Sequence, residues 1–470
     1  MASTTTPDTS SADLLARVEH GYVASRAVVD ALPAERFAEM LVSGWTLKDV
    51  VAHNAAWEET VPPRVASALA TGRDSGDHDD IDGFNRRVVA EARDATVVEV
   101  LARWTAAHAK VVELVRSFEG RDVPRLATDI VEWNTTGHYP DHFADLGAAI
   151  RTSAELADIA GRAWVPFRLA VMSLGAAGLD ATTPSGWTYK DLVAHVAEWF
   201  ALAARRLARF RATGDTASPG GTADEINARV VERTRGREVR AILRELDDAM
   251  TTLLEEIKEL DDRQIHANDD WAIAIVAGDT YGHFAEHHVE LFAAVPTRPA
   301  ELVERMREGW RPFRRALARV GLRPLSDTTS SDWSAKAMLS HLAHWLEVVP
   351  DELPVRLRGE RTAHDVSAEN AAEAADAGSR PAHEVVERLD RAYRKVLDLV
   401  GALPADGELP FTAIRLIVGE TYGHFAEHLP EIEPWVPRSK EQTLRRFDET
   451  WSAFRGALRE RGRGGLMAAT

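Results

Sequence analysis

Cysteine is missing from this chain of 470 residues. The protein can therefore supply no disulfide, no thiolate ligand for a metal ion and no thiol nucleophile. Any thiol that takes part in its chemistry has to come from solution. A chain without disulfides is typical of a reducing compartment, and we expect a cytoplasmic protein.

Basic residues are also scarce, since 56 lysines and arginines stand against 74 aspartates and glutamates and give a net charge of −18. This balance argues against the positive surface that nucleic-acid binding requires. No stretch approaches about 18 uninterrupted apolar residues, and residues 1–13 have neither the basic region nor the apolar run of a signal peptide. We expect neither a nucleic acid nor a membrane as a partner.

Strand signals are missing as well, because no alternation of β-branched and polar residues is bounded by hairpin turns. Apolar residues recur instead at helical spacing. The sequence predicts an all-α fold, with long helices separated by polar, glycine-containing or proline-containing loops. One such loop is acidic and covers residues 72–83.

One short pattern is present in three copies: Thr-Gly-His-Tyr-Pro-Asp-His ends at His142, and Tyr-Gly-His-Phe-Ala-Glu-His ends at His287 and again at His428. Two histidines four residues apart on a helix leave the same face about one turn apart and can share a metal ion. A third histidine lies 83 to 88 residues upstream of each pair. The nine candidate ligands are His53, His138 and His142; His195, His283 and His287; and His341, His424 and His428.

Neutral imidazoles suit zinc, nickel, copper or iron, and three protein ligands leave positions open for water or substrate. The alternative is that these histidines are satisfied core or capping residues, but the repetition of the whole triad favours a metal site. An acidic residue stands between the paired histidines, as Asp141, Glu286 and Glu427. It is a candidate general base toward a metal-bound water, with an exposed helical carboxylate or a partner of a ligand as the alternative.

Two further residue types recur near the upstream histidines. Asn85, Asn227 and Asn370 are candidates to orient a ligand or the substrate, and equally candidates for helix N-caps. Trp57, Trp199 and Trp345 follow the upstream histidines by four residues, so they are either pocket walls or core residues. Asp49 and Asp191 precede the upstream histidines His53 and His195 by four residues and are candidates to bind the free ring nitrogen of those histidines. Ala337 holds that position in the third copy.

The repeat period of about 145 residues predicts three tandem domains. We place a disordered lead at residues 1–12, repeat 1 at 13–153, repeat 2 at 154–297 and repeat 3 at 298–437. Each repeat is predicted to hold four helices, of which the third is interrupted near Asp94, Gly236 and Gly378. Residues 438–470 carry Trp451-Ser-Ala-Phe-Arg455, which is similar to the first-helix motif Trp310-Arg-Pro-Phe-Arg314 and predicts an extra C-terminal helix.

At these residues the sequence resembles the DinB-like four-helix-bundle superfamily and, within it, the ClbS/DfsB type. The likeness rests on Trp-Thr-x-Lys-Asp-x-x-x-His in the second helix and His-x-x-x-His in the fourth, and it covers nearly the whole chain three times. The resemblance implies three four-helix bundles that bind zinc, nickel or a similar ion through the three histidines. Relatives include transferases and isomerases that use mycothiol or bacillithiol, and resistance proteins that open the strained ring of an electrophilic metabolite.

The leading hypothesis is a metal-dependent enzyme, a hydrolase in which activated water opens or detoxifies an electrophilic small molecule such as an epoxide, cyclopropane or aziridine. Such an activity fits antibiotic self-resistance. A first alternative is a transferase or isomerase that depends on a low-molecular-weight thiol of the mycothiol type. A second is a protein that sequesters a toxic metabolite without turnover. A third is a purely structural metal that holds the second helix to the fourth, although no fourth ligand is evident.

Overall fold

The computed structural model describes residues 9–448 except 42, 77–79, 219–220, 323–324, 326–332 and 361, and also describes residues 451, 452 and 455. Most of the predicted N-terminal lead therefore lies outside the described residues. So do parts of the Trp451 to Arg455 motif and residues 456–470. Helix covers residues 440–448, and residues 451, 452 and 455 are helical too, within the segment where an extra C-terminal helix was predicted.

Helices make up nearly all of the described structure, as the sequence predicts. The first part of the chain contains α1 (Ser11–Ala31), α2 (Leu47–Thr71), α3 (Ile81–Glu91), α4 (Val97–Arg116), α5 (Arg125–Asn134) and α6 (Phe143–Ala149), with 3₁₀ segments at Ala34–Ala38 and Tyr139–His142. The second part contains α7 (Ser153–Leu179), α8 (Tyr189–Thr213), α9 (Ala223–Thr234), α10 (Val239–Lys258), α11 (Asp262–Ile265), α12 (Ala267–Asp279), α13 (Tyr281–Glu286) and α14 (His288–Ala293). The third part contains α15 (Pro299–Val320), α16 (Ala335–Leu357), α17 (Val366–Ser379), α18 (Ala382–Gly401), α19 (Phe411–Glu420) and α20 (Tyr422–Ile432), followed by a 3₁₀ segment at Glu433–Trp435.

Extended structure is limited, among the described residues, to one short antiparallel pair. Strand β1 (Thr9–Ser10) pairs with β2 (Asp122–Val123), with Thr9 opposite Val123. None of the described helices is long and apolar enough to cross a membrane.

The helices that carry the upstream histidines begin at the same distance from them. Thr46 caps α2 and Thr188 caps α8, and each threonine forms a reciprocal capping box with the aspartate three residues later. Ser334 caps α16 by accepting a hydrogen bond from the Ala337 N–H. Because the cap fixes where each helix starts, it fixes the direction in which the histidine seven residues later leaves the helix.

The chain divides into two compact units, one of residues 1–171 and 176–294 and the other of residues 172–175 and 295–470. In the first unit α2 packs on α4 and α5, α8 packs on α9, α10 and α12, and α1 packs on both α4 and α13. In the second unit α15 packs on α18 and α20, and α16 packs on α17, α18 and α19. The boundaries of the three predicted domains stay predictions.

Aspartate–arginine pairs hold the first helix of repeats 2 and 3 to the third. Arg168 on α7 donates two hydrogen bonds to Asp247 on α10, and Arg314 on α15 donates two to Asp390 on α18. These arginines end the Trp-x-Pro-Phe-Arg motif. A planar guanidinium that binds a carboxylate through two parallel bonds fixes orientation as well as distance, so the motif sets how the first helix lies on the bundle.

Repeat 1 has a buried polar cluster, centred on Glu58, which is fully buried. Its carboxylate accepts hydrogen bonds from the Trp104 indole and the Tyr139 hydroxyl and lies 3.2 Å from His108 Nδ1. The other ring nitrogen of His108 lies 3.5 Å from Glu19. Met250 and Tyr393 occupy the positions of His108 in the helices α10 and α18.

In repeats 1 and 2 the paired histidines do not lie on one continuous helix, which corrects the expectation from their spacing. In repeat 3 the expectation holds, because α20 carries both His424 and His428. The fourth helix of each repeat is broken at Thr135, Thr280 and Thr421, three residues before the first histidine of the pair, where φ and ψ are near −126° and −102° in repeat 2. Each of these threonines donates its hydroxyl hydrogen bond to the carbonyl four residues earlier. The side chain thus satisfies a carbonyl of the helix that ends there.

Glycine makes the break possible. A Cβ atom on Gly282 or Gly423 would lie 2.7 Å from the carbonyl oxygen five residues earlier, and one on Gly137 would lie 3.2 Å from it. Only glycine permits so close an approach of backbone to backbone. In repeat 1 the chain then continues as the 3₁₀ segment Tyr139–His142, which contains Pro140.

Candidate metal centre

The structure brings together each of the three predicted histidine triads. In every triad the candidate ligand nitrogens lie within 4.8 Å of one another. The Nε2 atoms of the upstream histidine and the first paired histidine are separated by 2.7 Å for His53 and His138, 2.8 Å for His195 and His283, and 2.9 Å for His341 and His424. The helix break rotates the pair toward the second helix, so that all three rings point at one place.

The tautomer of an upstream histidine follows from its neighbours in repeat 3. The Trp345 indole N–H donates to Asn370 Oδ1 at 2.9 Å, and because an indole can only donate, the amide atom that faces it is the oxygen. His341 Nδ1 lies 2.9 Å from the same oxygen and must therefore carry the proton. This leaves the Nε2 lone pair of His341 directed at His424. A lone pair aimed at the centre of the triad is what a metal ion requires.

Asparagine plays the same part in repeat 2, where Asn227 Oδ1 lies 2.8 Å from His195 Nδ1 and accepts the Trp199 N–H at 3.1 Å. In repeat 1, Asn85 Oδ1 accepts the Trp57 N–H at 3.0 Å. All three asparagines lie inside helices whose N-caps are Asp80, Thr222 and Asp365. They are therefore not helix caps, and in repeats 2 and 3 they orient a candidate ligand.

Asp49 and Asp191 do not bind the upstream histidines. Each carboxylate instead accepts hydrogen bonds from the N–H and hydroxyl of its N-cap threonine. The ring nitrogen that they were candidates to bind faces the asparagine in repeat 2. A residue four positions earlier on the same helix is within reach of a histidine, but here the helix terminus competes for the carboxylate.

Burial keeps the candidate ligands neutral. Desolvation lowers the pKa of His138, His195, His287 and His341 to about 4, and that of His53, which also feels His138, to about 2. Burial also lowers the pKa values of His283 and His424 well below the usual value for histidine. Imidazoles in this state are unprotonated near pH 7, so their lone pairs are available to a cation without loss of a proton.

Two positions near the paired histidines were missed from the sequence. An acidic residue follows the second histidine by three positions in every repeat, and its carboxylate lies 2.7 Å from the His428 Nδ1 as Glu431 and 3.8 Å from the His142 Nδ1 as Asp145. In repeat 2 this residue is Glu290, which accepts the Ser185 hydroxyl. Because this acidic residue has the same spacing from the second histidine in all three repeats, comparing the repeats could have identified it from the sequence.

The second missed position precedes the first paired histidine by four residues and holds Asn134, Asp279 and Glu420. Glu420 lies 3.6 Å from His424 Nδ1, and burial raises its pKa to about 8. Burial raises the pKa of Asp279 to about 7, against the field of Arg206. Asn134 accepts a hydrogen bond from Arg64. This position was not recognised as a repeat because it holds an amide side chain in one copy and a carboxylate in the other two.

The acidic residues between the paired histidines lie at the surface. Asp141, Glu286 and Glu427 are all exposed. Burial lowers the pKa of His142, and the fields of Asp145 and Asp141 oppose this shift. Burial raises the pKa of Asp279 and of Glu420, and the fields of Glu286 and Glu427 respectively add to that effect. Their role as general bases stays a prediction.

Tryptophans flank each triad on two sides. Trp57, Trp199 and Trp345 lie with their ring centres 6.2 to 6.4 Å from the upstream histidine. The tryptophan at the start of the second helix lies on the other side, at 4.7 to 5.3 Å, as Trp45, Trp187 and Trp333. In each pair it is the first of these tryptophans, Trp57, Trp199 or Trp345, whose indole N–H is bound to the asparagine.

The three sites differ beyond this common set. The residue before the asparagine is Phe84 in repeat 1, Ile226 in repeat 2 and Glu369 in repeat 3. In repeat 3, Glu369 lies 3.0 Å from both His344 Nε2 and His364 Nδ1. Phe84 accordingly packs against Trp57 in repeat 1, whereas Trp345 in repeat 3 lies beside His344 and His364.

Comparison with known proteins gives one match. The family model described as the mycothiol maleylpyruvate isomerase N-terminal domain matches residues 160–268. This part of the chain is similar to a DinB-like four-helix-bundle domain. The match runs from within α7 to the start of α12, and so includes His195 and Asn227 but ends before His283. No curated protein and no solved structure matches the chain.

Proposed function

We propose that the protein is a metal-dependent enzyme that transfers a low-molecular-weight thiol of the mycothiol type to an electrophilic small molecule, or uses that thiol to isomerise it. Each triad would hold one divalent cation, zinc or nickel. The observation that carries the proposal is the convergence in each repeat of three imidazoles that are buried or half-buried. Neutral imidazoles at these separations form a donor set suited to zinc or nickel.

The residues around the triads support a catalytic site over a structural one. Three histidines supply three ligands, whereas a structural zinc site is closed by four. A bound cation would supply Lewis acidity and lower the pKa of a thiol or water beside it. Asn227 and Asn370 hold the upstream ring in the tautomer that faces the site, and the two tryptophans limit the entry of water.

The choice of a thiol rests on two observations. The chain has no cysteine, so a sulfur nucleophile has to be a cosubstrate. The matching family is described by a mycothiol-dependent isomerase. In a transfer, the thiolate sulfur would form a bond to the electrophilic carbon, the strained carbon–heteroatom bond would break, and the heteroatom would take up a proton.

A second candidate is hydrolysis, in which water replaces the thiol. The observation in its favour is that an exposed carboxylate stands between the paired histidines in every repeat, as Asp141, Glu286 or Glu427. Such a group can take a proton from water at the mouth of the site. The ring-opening resistance proteins of the ClbS/DfsB type, and a role in self-resistance, belong to this second candidate.

Metal content is the first test. We expect about three equivalents of metal per chain in protein purified without added metal and without a histidine tag, as measured by mass spectrometry. His53→Ala, His195→Ala and His341→Ala should each remove about one equivalent. His266→Ala is the matched control, because His266 is partly exposed and bound to Asp270 outside the triads. A folded protein with no bound metal would contradict the proposal.

Turnover is the second test. The metal-loaded protein is mixed with mycothiol and an epoxide, and thioether formation is followed over many equivalents. We expect multiple turnovers, reduced in His283→Ala and absent when all three triads are disrupted. Consumption that stops at one to three epoxides per chain would instead indicate sequestration, and diol without thioether would indicate hydrolysis.

A further inference from the structure

Repeat 1 carries aromatic surface beside its triad that the other repeats do not. Trp133 on α5 is 51% exposed. Its ring centre lies 5.6 Å from that of Trp57, in an edge-to-face arrangement. Trp57 in turn lies 6.2 Å from both His53 and His138. The exposed ring is therefore one side chain away from the imidazoles.

Phe84 completes this aromatic surface from α3. Its ring centre lies 4.6 Å from that of Trp57. The Arg87 guanidinium lies 5.5 Å above the Phe84 ring, so one face of that ring already has a partner. Of the three rings, Trp133 is the one that is more than half exposed, whereas Trp57 is buried and Phe84 is half-buried. We call Trp57, Phe84 and Trp133 the aromatic wall.

The wall is specific to the first site. Trp133 precedes the first paired histidine by five residues, and glycine holds that position as Gly278 in repeat 2 and Gly419 in repeat 3. A Cβ atom on either glycine would have no heavy atom within 4 Å, so neither is glycine because of crowding. The difference between tryptophan and glycine changes the mouth of the site while the three imidazoles stay the same.

We infer that the first site takes a substrate with a flat apolar ring, which stacks on Trp133 beside the triad; this rests on the proposed function for the site itself. A large indole that keeps half its surface in water gains from covering it with an apolar ring, and offset or edge-to-face ring contacts add to that gain. The second and third sites have no ring at this position and do not select for flatness. The three triads therefore act on different members of one class of electrophile.

Binding without turnover tests the inference. The probes are 2-naphthalenemethanol, which is flat, and cyclohexanemethanol, which is apolar but not flat, each titrated by calorimetry. We expect the parent to bind about one equivalent of the naphthalene alcohol, and more tightly than the cyclohexane alcohol. Trp133→Leu keeps an apolar helical residue and should lower the affinity for the naphthalene alcohol by about two- to tenfold, the range of an aromatic pair. Trp133→Gly reproduces the other repeats and should do the same.

Gly278→Trp provides the reverse test, since the space for its Cβ is open. We expect it to raise the stoichiometry for the naphthalene alcohol to about two per chain. The inference is overturned if Trp133→Leu binds this probe as tightly as the parent does, or if Gly278→Trp leaves the stoichiometry at one.

Titrations on zinc-loaded and on chelated protein separate this inference from the proposed function. If the protein takes up three equivalents of zinc but the parent and Trp133→Leu bind the naphthalene alcohol equally well, the inference about the aromatic wall is wrong and the proposed function is unaffected. If binding of the naphthalene alcohol depends on Trp133 but the protein takes up no zinc, the proposed metal-dependent function is wrong and the aromatic wall is supported as a ligand site.

Discussion

Asn370 connects the third helix of repeat 3 to the histidine triad through a single oxygen. That oxygen accepts the Trp345 N–H and faces His341 Nδ1, so it fixes both the tautomer and the angle of the ring. Partners of this kind typically change metal affinity by about 10- to 100-fold. We expect Asn370→Leu to weaken zinc binding at the third site by that amount, measured by competition with a chromophoric chelator in a chain that also carries His53→Ala and His195→Ala.

Asn370→Asp is the matched control, because it keeps an oxygen acceptor at the same place. It should bind zinc at least as tightly as the parent, since a carboxylate makes the imidazole more basic. Equal affinities for Asn370→Leu and the parent would show that the asparagine only packs against the tryptophan.

His108 gives a pH-dependent contribution to stability in repeat 1. Its ring lies between Glu58 and Glu19. Burial lowers the pKa of His108, but the two carboxylates together raise it by more than burial lowers it, so the net shift is upward. A group whose folded pKa exceeds its unfolded value of about 6.5 stabilises the fold below that pH and loses the effect as the pH rises through the folded pKa. We expect the urea midpoint of the parent to fall with rising pH above about 6.5, more steeply than that of His108→Gln. Parallel slopes for the two proteins would contradict this assignment.

At the scale of elements, the break in the fourth helix is the feature on which the triads depend. Gly282 is required because a Cβ would lie 2.7 Å from the Ala277 carbonyl oxygen, which belongs to the backbone and cannot move aside alone. We expect Gly282→Ala to destabilise repeat 2 by about 1–3 kcal/mol, as overpacking does. It should also lower metal content by about one equivalent, because the break aims His283 at His195.

Gly278→Ala is the control on the neighbouring turn of α12, where a Cβ meets nothing within 4 Å. Alanine is the better helix former by about 1 kcal/mol, so this variant should be neutral or slightly more stable and should keep its full metal content. Thermal melts and metal analysis are compared for the two variants. If Gly282→Ala and Gly278→Ala have the same stability and metal content, the close approach of the Ala277 carbonyl oxygen is not the reason that glycine is required at position 282.

What the sequence could predict at this scale depended on whether the signal was local. The breaks in the third helices follow from residues a few positions apart, and the structure confirms them. The histidines were found because they recur. The helix break was missed because a threonine and a glycine in the sequence do not show that the Ala277 carbonyl oxygen lies against Gly282. The partners Glu420 and Asp279 were missed because burial, which gives them their role, is not visible in the sequence.

At the scale of the whole molecule, burial lowers the pKa of triad histidines in all three repeats. His138, His195 and His341, one from each repeat, have folded pKa values lowered by burial to about 4, against about 6.5 in an unfolded chain. As the pH falls below about 6.5 the unfolded chain takes up protons first. The stability that these neutral rings contribute is therefore complete above about pH 6.5 and is lost as the pH falls toward about 4.

Chelated protein should accordingly unfold in less urea at pH 5 than at pH 7.5, and by a margin larger than most single-site changes, because the contributions of separate repeats add. The measurement is the urea midpoint by circular dichroism at several pH values. A chain with His53, His195 and His341 all changed to glutamine removes one titrating ring from each repeat and should show a shallower dependence on pH. Zinc should flatten the parent's curve down to the pH at which protons displace it, since bound metal holds the rings unprotonated. An apo protein whose midpoint does not change between pH 7.5 and pH 5 would mean that the triad rings are open to water, and the dry donor sets inferred for all three repeats would then be wrong.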